Sequence, residues 1–352
     1  MARIGIAVVG FGLIGREHVR RVREEPQARL AAIVEPDPSA AAAAAECGVP
    51  LVASLEELLA RRLAEAVILA TPTALHAEQA VACIEAGLPV LVEKPLAHDL
   101  AAGRRIVAAS ERTGVPVLVG HHRRHSPWIR TAKAEIERGT LGRVLLVDAL
   151  TWFAKPEPYF APEWRRRKGA GPVLTNLVHV IDDLRNLVGE IVEVRAVASN
   201  ALRGFETEDT AVALLRFENG ALGTLSVSDG VASPWSWEHG SGESRWFPRA
   251  GEACYRIGGT RASLALPGLE LWWHERDGGW MTPFACLRRT IAEADPLALE
   301  LRHFCAVVAG AEQPVLDARG GLATLAATLA VLEAAERGSP VVPAFPDREP
   351  AR

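Results

Sequence analysis

Three glycines in the run Gly10-Phe11-Gly12-Leu13-Ile14-Gly15 follow the first apolar segment of this chain and open its first helix-patterned stretch. Each glycine at that spacing has a physical job. Gly10 permits a tight turn, Gly12 lets the main chain approach a pyrophosphate, and Gly15 allows a helix to pack closely on a strand. The helix start that follows offers unpaired N–H groups and the positive end of a helix dipole to phosphates. Twenty positions beyond Gly15, Glu35 closes the second apolar run, where a carboxylate accepts hydrogen bonds from both ribose hydroxyls. The same carboxylate repels a 2′-phosphate, and Pro36-Asp37-Pro38 supplies no arginine to neutralise one. The pattern therefore predicts NAD as cofactor in preference to NADP, with Asp37 as the alternative ribose ligand.

Further along, Lys94 stands at the carboxyl end of the apolar run 90–92, and Pro95 holds the backbone extended or turned so that the lysine side chain leaves the sheet. An ammonium there donates to a reacting hydroxyl and, once partly desolvated, favours its alkoxide. Asn176 and His179 lie three apart in a helix-patterned stretch, which places both side chains on one face. Histidine is suited to general acid–base work near neutral pH, whereas asparagine holds and orients by hydrogen bonding. His121, His122 and His125 form a histidine cluster, but neighbours on extended chain point to opposite faces, so no metal site is expected.

The elements that position these residues follow from periodicity. The 352 residues, 49% apolar and 23% charged, suit two domains with sizeable cores. From residue 3 to about 120, apolar runs at 4–9, 30–34, 51–52, 67–69, 90–92 and 117–119 alternate with helical stretches at 13–23, 39–47, 55–60, 75–86 and 100–112. Gly48, Gly87 and Gly114 follow three of those helices as C-terminal caps. This alternation predicts an α/β Rossmann domain with a doubly wound parallel sheet over residues 1–120. Beyond it the regime changes: all nine tryptophans lie after residue 120, and strands come in adjacent runs at 144–153, 191–198, 210–217, 221–228, 254–257, 262–266 and 270–274. Glu218-Asn219-Gly220 is a strong hairpin signal. The expected second domain, 121–340, is α+β, with a large mostly antiparallel sheet covered on one face by helices at 129–138, 176–187, 297–309 and 321–335; 341–352 is a tail.

A net charge of -4 with no long basic run predicts no nucleic-acid partner, and Arg165-Arg166-Arg167-Lys168 reads as a solvated loop. Five scattered cysteines lack the close pairs of zinc or redox motifs and read as reduced packing residues of a cytoplasmic protein. Glycines interrupt the apolar stretch 4–14, which excludes a signal peptide, and no apolar run approaches the ~20 residues of a membrane span.

Glu93-Lys94-Pro95, the turn Ala70-Thr71-Pro72-Thr73-Ala74-Leu75-His76, and the segment from Gly169 through Asn176 and His179 to Asp182 occur in an order and spacing that resemble the glucose-fructose oxidoreductase, inositol dehydrogenase and MocA family over nearly the whole chain. The resemblance implies that Thr71, Pro72, Thr73, His76, Glu93 and Lys94 join the glycine turn and Glu35 at the cofactor. It also implies a cis Lys94–Pro95 peptide, and a substrate lined by Lys94, His122, Arg123, Asn176 and His179. That family usually carries Asp where Asn176 stands, so His179 becomes the proton-transfer group, with Asp182 and Asp183 one turn further along as compensating carboxylates. Trp152, Lys155, Tyr159 and Trp164, with Trp235 and Trp237, offer stacking faces and cations for a sugar, cyclitol, sugar acid or diol; their other reading is core or subunit interface. The implied reaction is NAD-dependent hydride transfer at a hydroxyl-bearing carbon in a small-molecule substrate, by a homodimer or homotetramer joined through the second domain's sheet. A catalytically silent NAD-binding sensor or scaffold, and an NAD-assisted lyase or glycosidase, share the same motifs.

Overall fold

The computed structural model describes residues 3–276 and 279–345. They form two compact units, one containing the chain up to His122 together with Asp295–Leu325, the other Arg123–Ala294 with Ala326–Ala344.

In the first unit, strands β1 (Ile4–Val9), β2 (Ala28–Val34), β3 (Leu51–Val52), β4 (Ala66–Leu69), β5 (Val90–Glu93) and β6 (Val117–Gly120) alternate with helices α1 (Leu13–Glu24), α2 (Ala41–Cys47), α3 (Leu55–Ala60), α4 (Thr73–Glu85) and α5 (Leu100–Thr113). All strand pairs are parallel, in the order β3-β2-β1-β4-β5-β6. That order reverses between β1 and β4, the switch point at which open α/β sheets bind ligands beyond their strand ends. Burial of the central strands on both faces explains why they read as unbroken apolar runs rather than alternating ones: Ile6, Ala7 and Val8, like Val67, Ile68 and Leu69, are fully buried.

The second unit carries α6 (Pro127–Glu137), β7 (Val144–Trp152), α7 (Val178–Leu187), β8 (Ile191–Ser199), β9 (Thr210–Phe217), β10 (Leu222–Ser228), the short α8 (Trp237–Ser241) and β11 (Tyr255–Gly259) to β14 (Phe284–Arg288), with β12 at Ser263–Leu266 and β13 at Glu270–His274 between them. Its eight-stranded sheet runs β14-β13-β12-β11-β7-β10-β9-β8 and is antiparallel except for the β7–β10 pair. Gly220, at φ 86, turns the β9–β10 hairpin. Inward residues such as Val147, Ala149, Ala213 and Leu225 pack under Ile129, Leu177, Ile181 and Leu184 from the helical layer. The alternate positions face away from these helices and remain exposed: Leu146, Leu222, Leu214, Val212 and Val197 form a stripe across four neighbouring strands.

Two helices close the chain, α9 (Pro296–Val308) and α10 (Ala318–Arg337). The pattern at 297–309 places a helix correctly but on the wrong sheet. Leu301, Phe304 and Cys305 of α9 sit in the first unit's core beside Val19 and Val22 of α1, and Arg21 pairs with Asp295 at 2.7 Å. An amphipathic stripe reports that one face is buried, not which core buries it. Helix α10, at 20 residues and a mean hydropathy of 1.2, is long and apolar enough to cross a membrane, although no uninterrupted apolar run announces it. Of its apolar stretch, 67% is buried inside this protein, as in a core helix. Val341, placed in a tail by sequence, bridges Val194 beside β8, and residues 346–352 of that tail lie outside the described residues. Strand β14 escaped the sequence because its residues are mostly exposed and show no alternation.

Candidate functional site

The glycine turn, Glu35, the Thr71–Thr73 turn and Lys94 all lie at the carboxyl edge of the parallel sheet. Gly10, at φ 90, begins the turn after β1, and a Cβ there would come 2.7 Å from the Ala70 carbonyl oxygen, so the loops after β1 and β4 touch. A Cβ on Gly15 would lie 2.0 Å from the Gly10 oxygen, which makes glycine obligatory for α1 to start where it does. A Cβ on Gly12 meets no atom within 4 Å, so the turn is open on that side. Leu13 is exposed at the helix start and Ile14 half-buried, whereas the Phe11 ring is buried in the core beneath Arg16, whose guanidinium lies 4.3 Å from its centre. Glu35 directly follows β2 and accepts the Phe11 N–H at 2.8 Å, so its carboxylate also braces the glycine turn. Asp37 is turned to its own helix start, accepting the Ser39 N–H at 2.9 Å; those bonds hold its pKa below the usual carboxylate range. Open glycine turn, helix N-terminus and carboxylate at the end of β2 together fit a dinucleotide.

Two residues named as cofactor ligands have other duties. His76 is buried, with Nδ1 3.0 Å from the Pro95 carbonyl oxygen and Nε2 2.9 Å from that of Thr71. Burial pulls its pKa below 6.5, against the push of the two carbonyls. The Glu93 carboxylate is also buried: Oε1 meets His18 Nε2 at 2.8 Å, and Oε2 accepts the Lys94 N–H at 3.1 Å. Burial alone raises the Glu93 pKa, but the His18 contact, with the charges of Lys94 and His122, outweighs it and lowers the value to about 2. Both side chains are engaged inside the protein, and what they support is the main chain at the site. Thr71 donates to Gln79 at 2.6 Å, and Pro72 and Thr73 start α4. Lys94 is half-buried and its peptide with Pro95 is cis, as the resemblance implied.

In the second unit, Asn176 lies not on a regular α-helix but in a π-helical turn, Val173–Leu177, that runs into α7. The i,i+3 geometry expected for Asn176 and His179 is therefore altered, since the wider turn changes the angle between them; such turns recur at functional sites. Glu208 anchors the turn by accepting the Val173 N–H at 3.0 Å, and a Cβ on Gly171 would collide with that carboxylate. The Lys155 ammonium, deeply buried, lies 3.4 Å from Asp229 and donates to Thr175 Oγ1 at 3.3 Å. Thr175 Oγ1 in turn lies 3.0 Å from Asn176 Oδ1 and 2.9 Å from the Gly171 oxygen. With its oxygen accepting from Thr175, the Asn176 amide keeps two N–H donors. His179 follows, buried on α7. Sequence reasoning missed Thr175, although a hydroxyl beside Asn176 and a lysine upstream were visible.

Arg123 is not a spare cation, being bonded within the protein. It is 2% exposed, and its guanidinium donates to Asp183 at 3.2 Å, to the Tyr255 hydroxyl at 3.0 Å and to Glu238 at 2.5 Å. Nor are Asp182 and Asp183 spare carboxylates: Arg124 holds both oxygens of Asp182 at 2.7 and 2.9 Å, and Tyr255 donates to Asp183 at 2.9 Å. Burial outweighs Arg123 and raises Asp183 to about 7. Trp152 alternates onto the open sheet face, donating to Ser226 at 2.8 Å with Trp235 edge-on at 5.6 Å. The helical layer with Asn176 and His179 covers the opposite face of the sheet. Trp164 is exposed on a 3-10 turn with Arg165 over its ring, and the guanidinium of Arg165 lies 4.0 Å from the Tyr159 ring centre. The basic run at 165–168 is more than solvated loop, since Arg165 and Arg166 donate to the Tyr159 and Phe160 carbonyls. His122 and Arg123 fall on either side of the boundary between the two units. Among the described residues no group of three or more His, Cys, Asp or Glu is arranged to hold a metal, and all five cysteines are free, with Cys286 exposed rather than packed.

Residues 4–121 match the family described as "Oxidoreductase family, NAD-binding Rossmann fold", and residues 129–265 match the GFO/IDH/MocA C-terminal domain. The chain is 34% identical over 229 residues to the Myo-inositol dehydrogenase Hyg17 of Streptomyces leeuwenhoekii, a match spanning 63% of this chain and 69% of that one. It is 32% identical over 230 residues to the 4-carboxy-2-hydroxymuconate-6-semialdehyde dehydrogenase of Sphingobium sp. (strain NBRC 103272 / SYK-6), covering 63% and 71%. Among solved structures, the WlbA dehydrogenase from Bordetella pertussis in complex with NADH and UDP-GlcNAcA superposes with a TM-score of 0.79 at 27% identity, over 98% of this chain and 100% of that one.

Proposed function

Because this chain belongs to the GFO/IDH/MocA family of NAD-binding oxidoreductases, we propose that it moves a hydride between the nicotinamide and a hydroxyl-bearing carbon of a sugar, cyclitol, sugar acid or related diol. Bound NAD supplies the hydride acceptor, or NADH the donor. The Gly10–Gly15 turn and the α1 N-terminus hold its phosphates, and Glu35 holds a ribose. Towards the substrate, His179 takes the hydroxyl proton during oxidation and returns it during reduction. Lys94 lowers the energy of the negative charge that develops on a reacting substrate oxygen. Asn176, its carbonyl turned to Thr175, donates a hydrogen bond to a substrate oxygen.

The observation that carries this reading is the convergence of the loops after β1, β2, β4 and β5 on the switch-point edge of one sheet, with Gly10 against Ala70 and Lys94 at the end of β5. Sugar-like substrates are supported by the relatives' names, inositol for one and a UDP-sugar acid in another's crystal. Lys94→Ala and His179→Ala are each expected to lower turnover at least ~10²-fold with NAD affinity largely kept, as when a charge-stabilising or proton-moving group is removed. A screen of sugars, cyclitols, sugar acids and diols, followed by NADH absorbance, identifies the substrate for this test; near-normal rates in both variants would overturn the proton-transfer role of His179 and the charge-stabilising role of Lys94. The exposed apolar stripe of Leu146, Leu222, Leu214, Val212 and Val197 supports pairing of this sheet with a second copy, in a dimer or tetramer.

A further inference from the structure

The main chain that carries Lys94 is tied on both sides to buried imidazoles. On one side, Glu93 binds His18 at 2.8 Å through one oxygen and takes the Lys94 N–H at 3.1 Å through the other. On the other side, the Pro95 carbonyl is 3.0 Å from His76, whose second nitrogen is 2.9 Å from the Thr71 carbonyl. Both histidines are 1% exposed. Their positions in the fold give the arrangement its meaning. His18 lies on α1, the helix that begins at the glycine turn, and His76 lies on α4, whose first residues form the turn after β4. Each imidazole thus joins the peptide chain of Lys94 to one of the two loops that the sheet presents at its switch point.

We propose that His18, Glu93 and His76 are positioning residues that fix the Lys94 backbone relative to the glycine turn and the Thr71 turn, so that the ammonium meets the reacting oxygen in one orientation. This inference rests on the charge-stabilising role proposed for Lys94. Three features favour it over ordinary core packing. Two of the four bonds end on main-chain atoms of residues 94 and 95, the Lys94 N–H and the Pro95 carbonyl, and the other two link that stretch to α1 and to the Thr71 turn. Glu93 spends its two oxygens on two different partners, one of them the Lys94 N–H itself. His76 stands between two carbonyl oxygens, those of Pro95 and Thr71, so whichever ring nitrogen carries the proton donates to the main chain of one of these turns. A shift of about 1 Å in a reacting group costs on the order of 10²-fold in rate, so a brace of this kind has a large effect to protect.

The test is a set of double-mutant cycles through Lys94. His18→Gln, Glu93→Gln and His76→Gln are made singly and each in the Lys94→Ala background, and NAD dissociation constants, kcat and KM are measured for all. In the single variants kcat is expected to fall roughly 10- to 100-fold, with NAD affinity and substrate KM changed by less than about threefold. In the Lys94→Ala background the same substitutions are expected to cost less than about twofold, because the group they position is already gone. Equal losses in both backgrounds refute the inference while leaving the role of Lys94 intact. Normal turnover in Lys94→Ala alone refutes that role, and the inference with it. Should none of the three single variants bind NAD, the residues are structural supports of the whole domain and the inference is likewise refuted.

Discussion

Replacing Arg123 by Met separates the role its sequence position suggested from the role its surroundings require. The guanidinium is bonded to Asp183, which is fully buried, and to Glu238, and it stands 5.6 Å from the Trp237 ring centre. Methionine keeps much of the stem's packing but takes the cationic partner away from both acids. Breaking a buried pair in this way costs roughly 3–5 kcal/mol. The cost depends on pH, and its sign follows from Asp183. Burial raises this carboxyl from 3.8 to about 7 against the pull of Arg123, so its contribution favours the fold at low pH and is lost as pH rises through about 7. Without Arg123 the folded pKa moves higher still, and the loss continues into alkaline solution at up to about 1.4 kcal/mol per pH unit. Arg123→Met is therefore expected to be destabilised by roughly 3–5 kcal/mol at pH 8 and by about 1.4 kcal/mol less at pH 6, measured by urea unfolding at both pH values. Substrate KM in the folded variant should stay within about twofold. Stability within about 1 kcal/mol of the parent at pH 8, together with a roughly tenfold rise in KM, would refute the reasoning and restore Arg123 as a substrate ligand.

Glu300 is fully buried on α9, neither carboxyl oxygen has a hydrogen-bond partner among the described residues, and burial with the nearby charge of Glu93 raises its pKa well above 4.5. Glu300→Met is expected to stabilise the protein by roughly 1–3 kcal/mol. The raised carboxyl loses its contribution as pH climbs above 4.5, so the gain should be larger at pH 8 than at pH 5; equal melting shifts at both would contradict this. Glu35→Ala should raise the dissociation constant for NAD about tenfold while changing that for NADP less, and an unchanged ratio in equilibrium binding would show that another residue selects the cofactor. Leu146→Asp with Leu214→Asp should leave turnover per subunit near the parent's while dissociating the assembly, as light scattering would register; an unaltered mass would place the subunit contact elsewhere.

The alternation of apolar runs and helical stretches and the glycine spacing were enough to specify a doubly wound domain and the tight turn after its first strand, because each depends on contacts between near neighbours: a tight turn, a strand-to-helix step, a capped helix end. The hairpin at Glu218-Asn219-Gly220 was legible for the same reason. What the linear pattern could not supply is which buried surface meets which. It put α9 against the wrong sheet and described Asn176 as part of an ordinary helix, and it gave no sign of the bonds that Arg123, His76 and Glu93 make inside the protein. Periodicity identifies the face that is hidden, and residue type identifies the chemistry on offer, but a charged or imidazole side chain can spend that chemistry on a ligand or on its own fold. Tertiary structure decides between these, because only there do Asp183, Glu238 and Tyr255, distant in sequence, close around one guanidinium, or the carbonyls of Thr71 and Pro95 close around one imidazole.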